Sequence, residues 1–166
     1  VRYLRAMSVA HHLATHLRGI HTGGNWTERD VKQQLEGLDW QVAVREVPGF
    51  NTIATLAHHL KYFVGVQLQV LRGGPLEGHD RLSWETPAIT SQQDWDGLIA
   101  EWLDQAAELA NRVEQLTDEQ LFGPFGDPKY GTFFSNLMGL VEHTHYHLGQ
   151  IALVKKLIQL QSHDTA

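Results

Sequence analysis

The chain has 166 residues, 42% hydrophobic and 19% charged, a composition that builds one packed domain and is not that of a disordered chain. Thirteen Lys and Arg against 19 Asp and Glu leave a net charge of −6, so neither nucleic acid nor an anionic membrane surface is an expected partner. The absence of cysteine removes disulfides, zinc fingers, iron–sulfur sites and any thiol nucleophile of the chain's own. No apolar run approaches the roughly 18 residues of a membrane span, and no charged-then-apolar leader opens the sequence; a soluble cytoplasmic protein is expected. Eleven histidines are many for this length, and they direct the search for chemistry.

In chain order, Tyr3, Ala6, Ala10, Leu13, Leu17 and Ile20 recur at helical spacing and predict a first helix over 2–20, stopped at Gly23-Gly24. Thr27 to Asp30 reads as a loose capping box opening a short helix through Leu35. Pro48-Gly49 breaks the chain, and Asn51 or Thr52 can cap a second long helix running to about Arg72. The stretch from Gly73 to Ser91 is a Gly/Pro-punctuated loop, long for a compact domain and therefore expected to cover something. Ser91 can cap a third long helix that turns Trp95, Leu98, Trp102, Leu109, Val113 and Leu116 inward. Thr117 to Gln120 fits a capping box for one more turn, 122–131 is loop, and a last helix covers 132–160. With no strand-period pattern of useful length, the fold class is all-α, and a four-helix bundle with long crossover loops is expected over 1–166 as a single domain.

In the last helix, His143 and His147 stand four residues apart, on one face with Leu140, Gln150, Ile151, Val154 and Ile158. His145 points elsewhere and reads as solvated. In the second helix, periodicity of about 100° per residue groups His59 with Leu56, Phe63, Val66 and Val70. It leaves His58 on the exposed side with Thr55, Tyr62 and Gln69. If the two helices are neighbours, His59, His143 and His147 can form a three-histidine metal site with a position left open. A buried histidine also serves as a hydrogen-bonded packing residue, and spacing alone leaves both readings open. The rival pair His12 and His16 lies off the apolar stripe and reads as solvated. There is no His-Glu-x-x-His, no P-loop, no dinucleotide-binding glycine motif, and no second copy of the Glu142-x-x-His145 element that a carboxylate di-iron bundle needs.

The string Glu142-His143-Thr144-His145-Tyr146-His147-Leu148-Gly149-Gln150 resembles the last-helix signature of the DinB/YfiT-like superfamily, His-x3-His-x-Gly-Gln. Thr52 to His59 is similar to its second-helix segment, and Gly24-Asn25-Trp26-Thr27 to the loop after its first helix. That resemblance implies a bundle in up-down-down-up order, usually a homodimer. It also implies one divalent ion held on His59, His143 and His147; the ligand set itself suits Zn²⁺, Ni²⁺, Fe²⁺ or Mn²⁺ and does not select among them. The family's characterised branches imply low-molecular-weight-thiol S-transferase chemistry on small electrophiles. The alternatives are a hydrolase of a small substrate and a non-catalytic metal-binding or sensor bundle. An ion with an open position lowers the pKa of a bound water or thiol, and here any thiol must come from a small-molecule cosubstrate. Gln150 can orient an imidazole or be a packing amide. Trp26, Trp84 and Tyr130 can wall a pocket or form small loop clusters. Asp94, Asp104 and Glu108 read as a solvated face.

Overall fold

The computed structural model describes residues 8–163, so Tyr3 and Ala6 of the predicted first helix lie outside the described residues. Helix α1 spans Val9–Thr22, capped by the Ser8 side chain, which accepts from His11 N. Two short helices follow, α2 at Val31–Leu35 and α3 at Trp40–Ala43. The long α4 covers Ile53–Leu71, and a single turn, α5, covers Asp80–Ser83. Then come α6 at Gln92–Glu114, the turn α7 at Asp118–Leu121, and α8 at Phe133–His163. Among the described residues there is no strand, and an isolated bridge between Pro124 and Thr132 lies in the loop before α8.

Most helix starts sit where side chains can satisfy the first free amides. Thr52 accepts from Thr55 N, Ser91 from Asp94 N, and Thr117 and Gln120 form a reciprocal capping box. The start of α2 differs from the sequence reading. Asp30, not Thr27, caps it through Gln33 N, because Thr27 is held by Asn25 Oδ1 in the preceding turn. The long 73–91 connection is not plain loop either, since α5 interrupts it. In the 122–131 segment, Pro128–Tyr130 forms a 3₁₀ turn.

The four long helices close a ring of neighbours: α1 packs on α6 and α8, and α4 packs on α6 and α8. Each contributes an apolar stripe to one contiguous core. Leu13, Leu17 and Ile20 come from α1, and Leu56, Leu60 and Val64 from α4. Trp95, Trp102 and Leu109 come from α6, and Leu137, Ile151 and Val154 from α8. Polar ties fix the register of the ring: Gln67 Nε2 donates to Asn136 O at 2.9 Å between α4 and α8, and Trp95 Nε1 donates to Leu35 O. Arg18 and His11 of α1 both reach Glu114 of α6. The packing of α4 against α8 is what brings two distant stretches of sequence to one site. No helix among the described residues is long and apolar enough to cross a membrane.

Candidate metal centre

His59 on α4 and His143 and His147 on α8 meet inside the ring. Each offers one ring nitrogen, and these three atoms lie within 4.8 Å of one another. The rings sit edge to face, with centroids 4.8 Å apart for His59 and His143, 4.9 Å for His59 and His147, and 4.6 Å for His143 and His147. His59 and His147 are buried and His143 half-buried.

The tautomers follow from the hydrogen bonds. Ser83 has one hydroxyl proton, and it goes to Asp80 O at 2.6 Å. Ser83 Oγ therefore accepts from His59 Nδ1 at 2.8 Å, which leaves His59 Nε2 as a bare lone pair. Gln150 Oε1 lies 2.6 Å from His147 Nδ1 and, being a carbonyl, accepts from it. Gln150 Nε2 donates onward to the Tyr146 hydroxyl at 3.2 Å. Nε2 is then the nitrogen His147 has left for the shared point. His143 Nε2 lies 2.9 Å from His59 Nε2. A proton on His143 Nε2 can serve one lone pair, whereas a divalent cation serves all three nitrogens together. The donor set, with the Nδ1 atoms of His59 and His147 tied outward to Ser83 and Gln150, fits such an ion.

The surroundings are apolar and aromatic. Trp84 stacks on His59 at 3.7 Å with the planes 19° apart, and Phe63 meets His59 and His143 edge-on at 5.1 and 5.3 Å. Burial, reinforced by the two neighbouring imidazoles, pushes the His59 pKa down to about 4. Burial first and His147 second push His143 down as well, and the Asp80 carboxylate opposes both shifts. His59 and His143 are therefore neutral at pH 7, the state in which a ring nitrogen can ligate.

Two of the sequence expectations are corrected here. His58 is half-buried, not exposed, and burial lowers its pKa. It lines a groove of about 400 Å³ along α4 with Lys61, Tyr62, Gly65 and Gln105, apart from the three converging rings. His145 is half-buried as well, with Nδ1 donating to Val141 O one turn back, so it is not simply solvated. His12 and His16 are exposed, as expected. Of the loop aromatics, Trp84 is at the site, Trp26 is 97% exposed and Tyr130 is 52% exposed. Glu108 pairs with Arg72 and Arg112 and Asp94 caps Thr90, roles unconnected to the three histidines.

Ser83 is the residue that sequence reasoning missed. Its signal was faint, since a serine in a long loop belongs to no helical phase, and only the loop's length announced that it covers something. Replacing Ser83 by alanine is expected to weaken divalent-ion affinity about 10- to 100-fold, the range for losing such an orienting partner. Titration of a chelator-stripped protein with Zn²⁺ would check this, and an unchanged affinity would show that Ser83 orients nothing. A family model described as DinB superfamily matches residues 25–151, a span that includes all three histidines, Ser83 and Gln150. No curated protein and no solved structure matches the chain.

Proposed function

The chain belongs to the DinB superfamily, and from that premise we propose that it is a metal-dependent enzyme joining a low-molecular-weight thiol to a small electrophile. His59, His143 and His147 hold the ion. The observation that carries this reading is the pair of outward hydrogen bonds, His59 to Ser83 and His147 to Gln150, which leave ring nitrogens converging on one point. In this reading the long helices run up-down-down-up, as the family resemblance implies. A divalent ion bound there supplies Lewis acidity, which lowers the pKa of an acidic group brought to it.

The chain's own residues do the rest. Three histidines leave the ion's coordination incomplete, which suits a reactive centre better than a purely structural one. Trp84 packs on His59 and Phe63 on His143, which removes part of the water around the two rings and strengthens electrostatic effects there relative to bulk solvent. Ser83 and Gln150 hold two imidazoles in fixed tautomers, so no reorganisation is needed when substrate arrives. With no cysteine in the chain, the sulfur nucleophile is a cosubstrate. Its S–H proton departs, a sulfur–carbon bond forms, and the leaving group takes the electron pair of the bond that breaks.

The test is turnover of an activated aryl or alkyl halide by metal-loaded protein, with and without a small thiol. Thiol-dependent consumption that a chelator abolishes and added metal restores is the expected result. Turnover of carboxylic esters without any thiol would replace transfer by hydrolysis. No turnover of either kind, together with an ion whose removal unfolds the protein, would make the centre structural.

A further inference from the structure

The α5 turn is the part of the site that the fold holds least firmly. It is a single turn of four residues, far below the length at which a helix is stable by itself. Helices α1, α2, α3, α4, α6 and α7 each open on a side chain that caps an amide. By contrast, α5 opens on His79, whose side chain makes no such bond. His79, Asp80 and Arg81 are exposed, and among the helices α5 packs chiefly on α4. The approach is close there, since a Cβ on Gly78 would meet Val66 Cγ1 at 3.2 Å.

Both ends of the turn are fastened to α4. At its start, the His79 N–H donates to the Tyr62 hydroxyl at 2.8 Å. At its end, Ser83 Oγ accepts from His59 Nδ1, and the next residue, Trp84, stacks on the same imidazole. Trp84 also meets His147 edge-on at 6.3 Å. The closed turn is thus the form that fixes the His59 tautomer with Nε2 bare. When the turn lifts, the His59 Nδ1 proton loses its acceptor, and the ring is free to rotate or change tautomer. An ion that binds the closed form better holds it closed, and whatever closes the turn tightens the ion, because such coupling is reciprocal. Tyr62 is not one of the converging groups, so it reaches the ion by this route alone. We propose that α5 is a strap that a divalent ion on the three histidines holds shut, and that Tyr62 is a positioning residue, latching the strap and acting on His59 through Ser83. The inference rests on the three-histidine centre and not on the thiol chemistry.

The test is hydrogen exchange read by mass spectrometry, beside Zn²⁺ titration, on the chelator-treated full chain. In the closed strap the amides of His79, Leu82, Ser83 and Trp84 are all hydrogen-bonded. Zn²⁺ should slow exchange over 79–84 at least about tenfold more than over α6. Tyr62→Phe removes one hydroxyl. It should speed exchange over 79–84 without the ion and lower Zn²⁺ affinity about 3- to 10-fold, while urea unfolding of the stripped protein stays unchanged. In the Ser83→Ala background the same substitution should cost less than about twofold, since the route to His59 is already cut. A merely structural loss would cost the same in both backgrounds. Unaltered protein that binds no Zn²⁺ overturns the centre and the inference with it. Zn²⁺ binding that leaves exchange over 79–84 unchanged overturns the inference alone. So does a Tyr62→Phe loss of affinity that is equal with and without Ser83, or no loss at all.

Discussion

Replacing His143 and His147 together by alanine is expected to take the bound divalent ion from about one per chain to none, because two of three ligands go at once. The helices should persist, since Leu140, Ile151 and Val154 anchor α8 on either side of the two positions. Elemental analysis of the untagged protein after dialysis, beside far-ultraviolet circular dichroism, reads both quantities. A second readout is thermal: at a thousandfold excess of free ion over its dissociation constant, binding stabilises the native state by about 4 kcal/mol. The unaltered protein should therefore melt higher with metal than without it, and the double variant should not respond. If the variant keeps its ion, the converging nitrogens are not the site, and the exposed pair His12 and His16 becomes the next place to look.

The second large effect lies in the acid range and concerns His21. This side chain is buried, with Nδ1 donating to Leu17 O at 2.7 Å and the ring edge-on to Trp102 at 5.9 Å. Its Nε2 has no partner among the described residues. Burial pushes its pKa from 6.5 down to about 4, against the weaker upward pull of the Leu17 carbonyl and Asp30. The sign of the linkage follows. Between pH 6.5 and about 4 the unfolded chain holds the proton and the folded chain does not, so stability falls as the solution is acidified. His21's contribution is fully present above pH 6.5 and is lost as pH drops towards 4. Its size is about 3 kcal/mol, the free-energy equivalent of moving the pKa from 6.5 to about 4 at roughly 1.4 kcal/mol per tenfold change in proton affinity.

His21→Gln cannot take up a proton in this range. Its stability deficit relative to the unaltered protein, measured by urea unfolding of chelator-treated samples, should shrink by about 3 kcal/mol between pH 7 and pH 4. A deficit that stays constant with pH would mean that His21 titrates alike in both states. Chelation matters in this comparison, because His59 and His143 are also held neutral by burial and contribute to the same acid sensitivity in both proteins.

The sequence determined what neighbours along the chain decide. Thr52, Ser91 and Thr117 each have an oxygen within reach of an amide three residues on, so those caps were legible without knowledge of the fold. Helical phase separated His59 from His58, because 100° per residue places one on the apolar side and the other beside polar neighbours. His58 nevertheless proved half-buried, and His145 with it. Phase says which way a side chain points and does not say how far a neighbouring element extends over it. The same local logic misplaced the start of α2. Asn25, by holding Thr27, left Asp30 to cap it, and which of two local hydrogen bonds forms depends on the turn as a whole.

Tertiary structure decided everything that spans distance. His59 meets Ser83 across 24 positions and His143 across 84, and no periodicity relates residues so far apart. Spacing within α8 could pair His143 with His147, but only the packing of α4 on α8 supplies the third imidazole. Only the return of the α5 turn over that contact supplies Ser83 and Trp84. The physical reason is that helix formation and capping are set by hydrogen bonds a few residues long. A site is set instead by which buried faces exclude water together, and that depends on the whole chain at once.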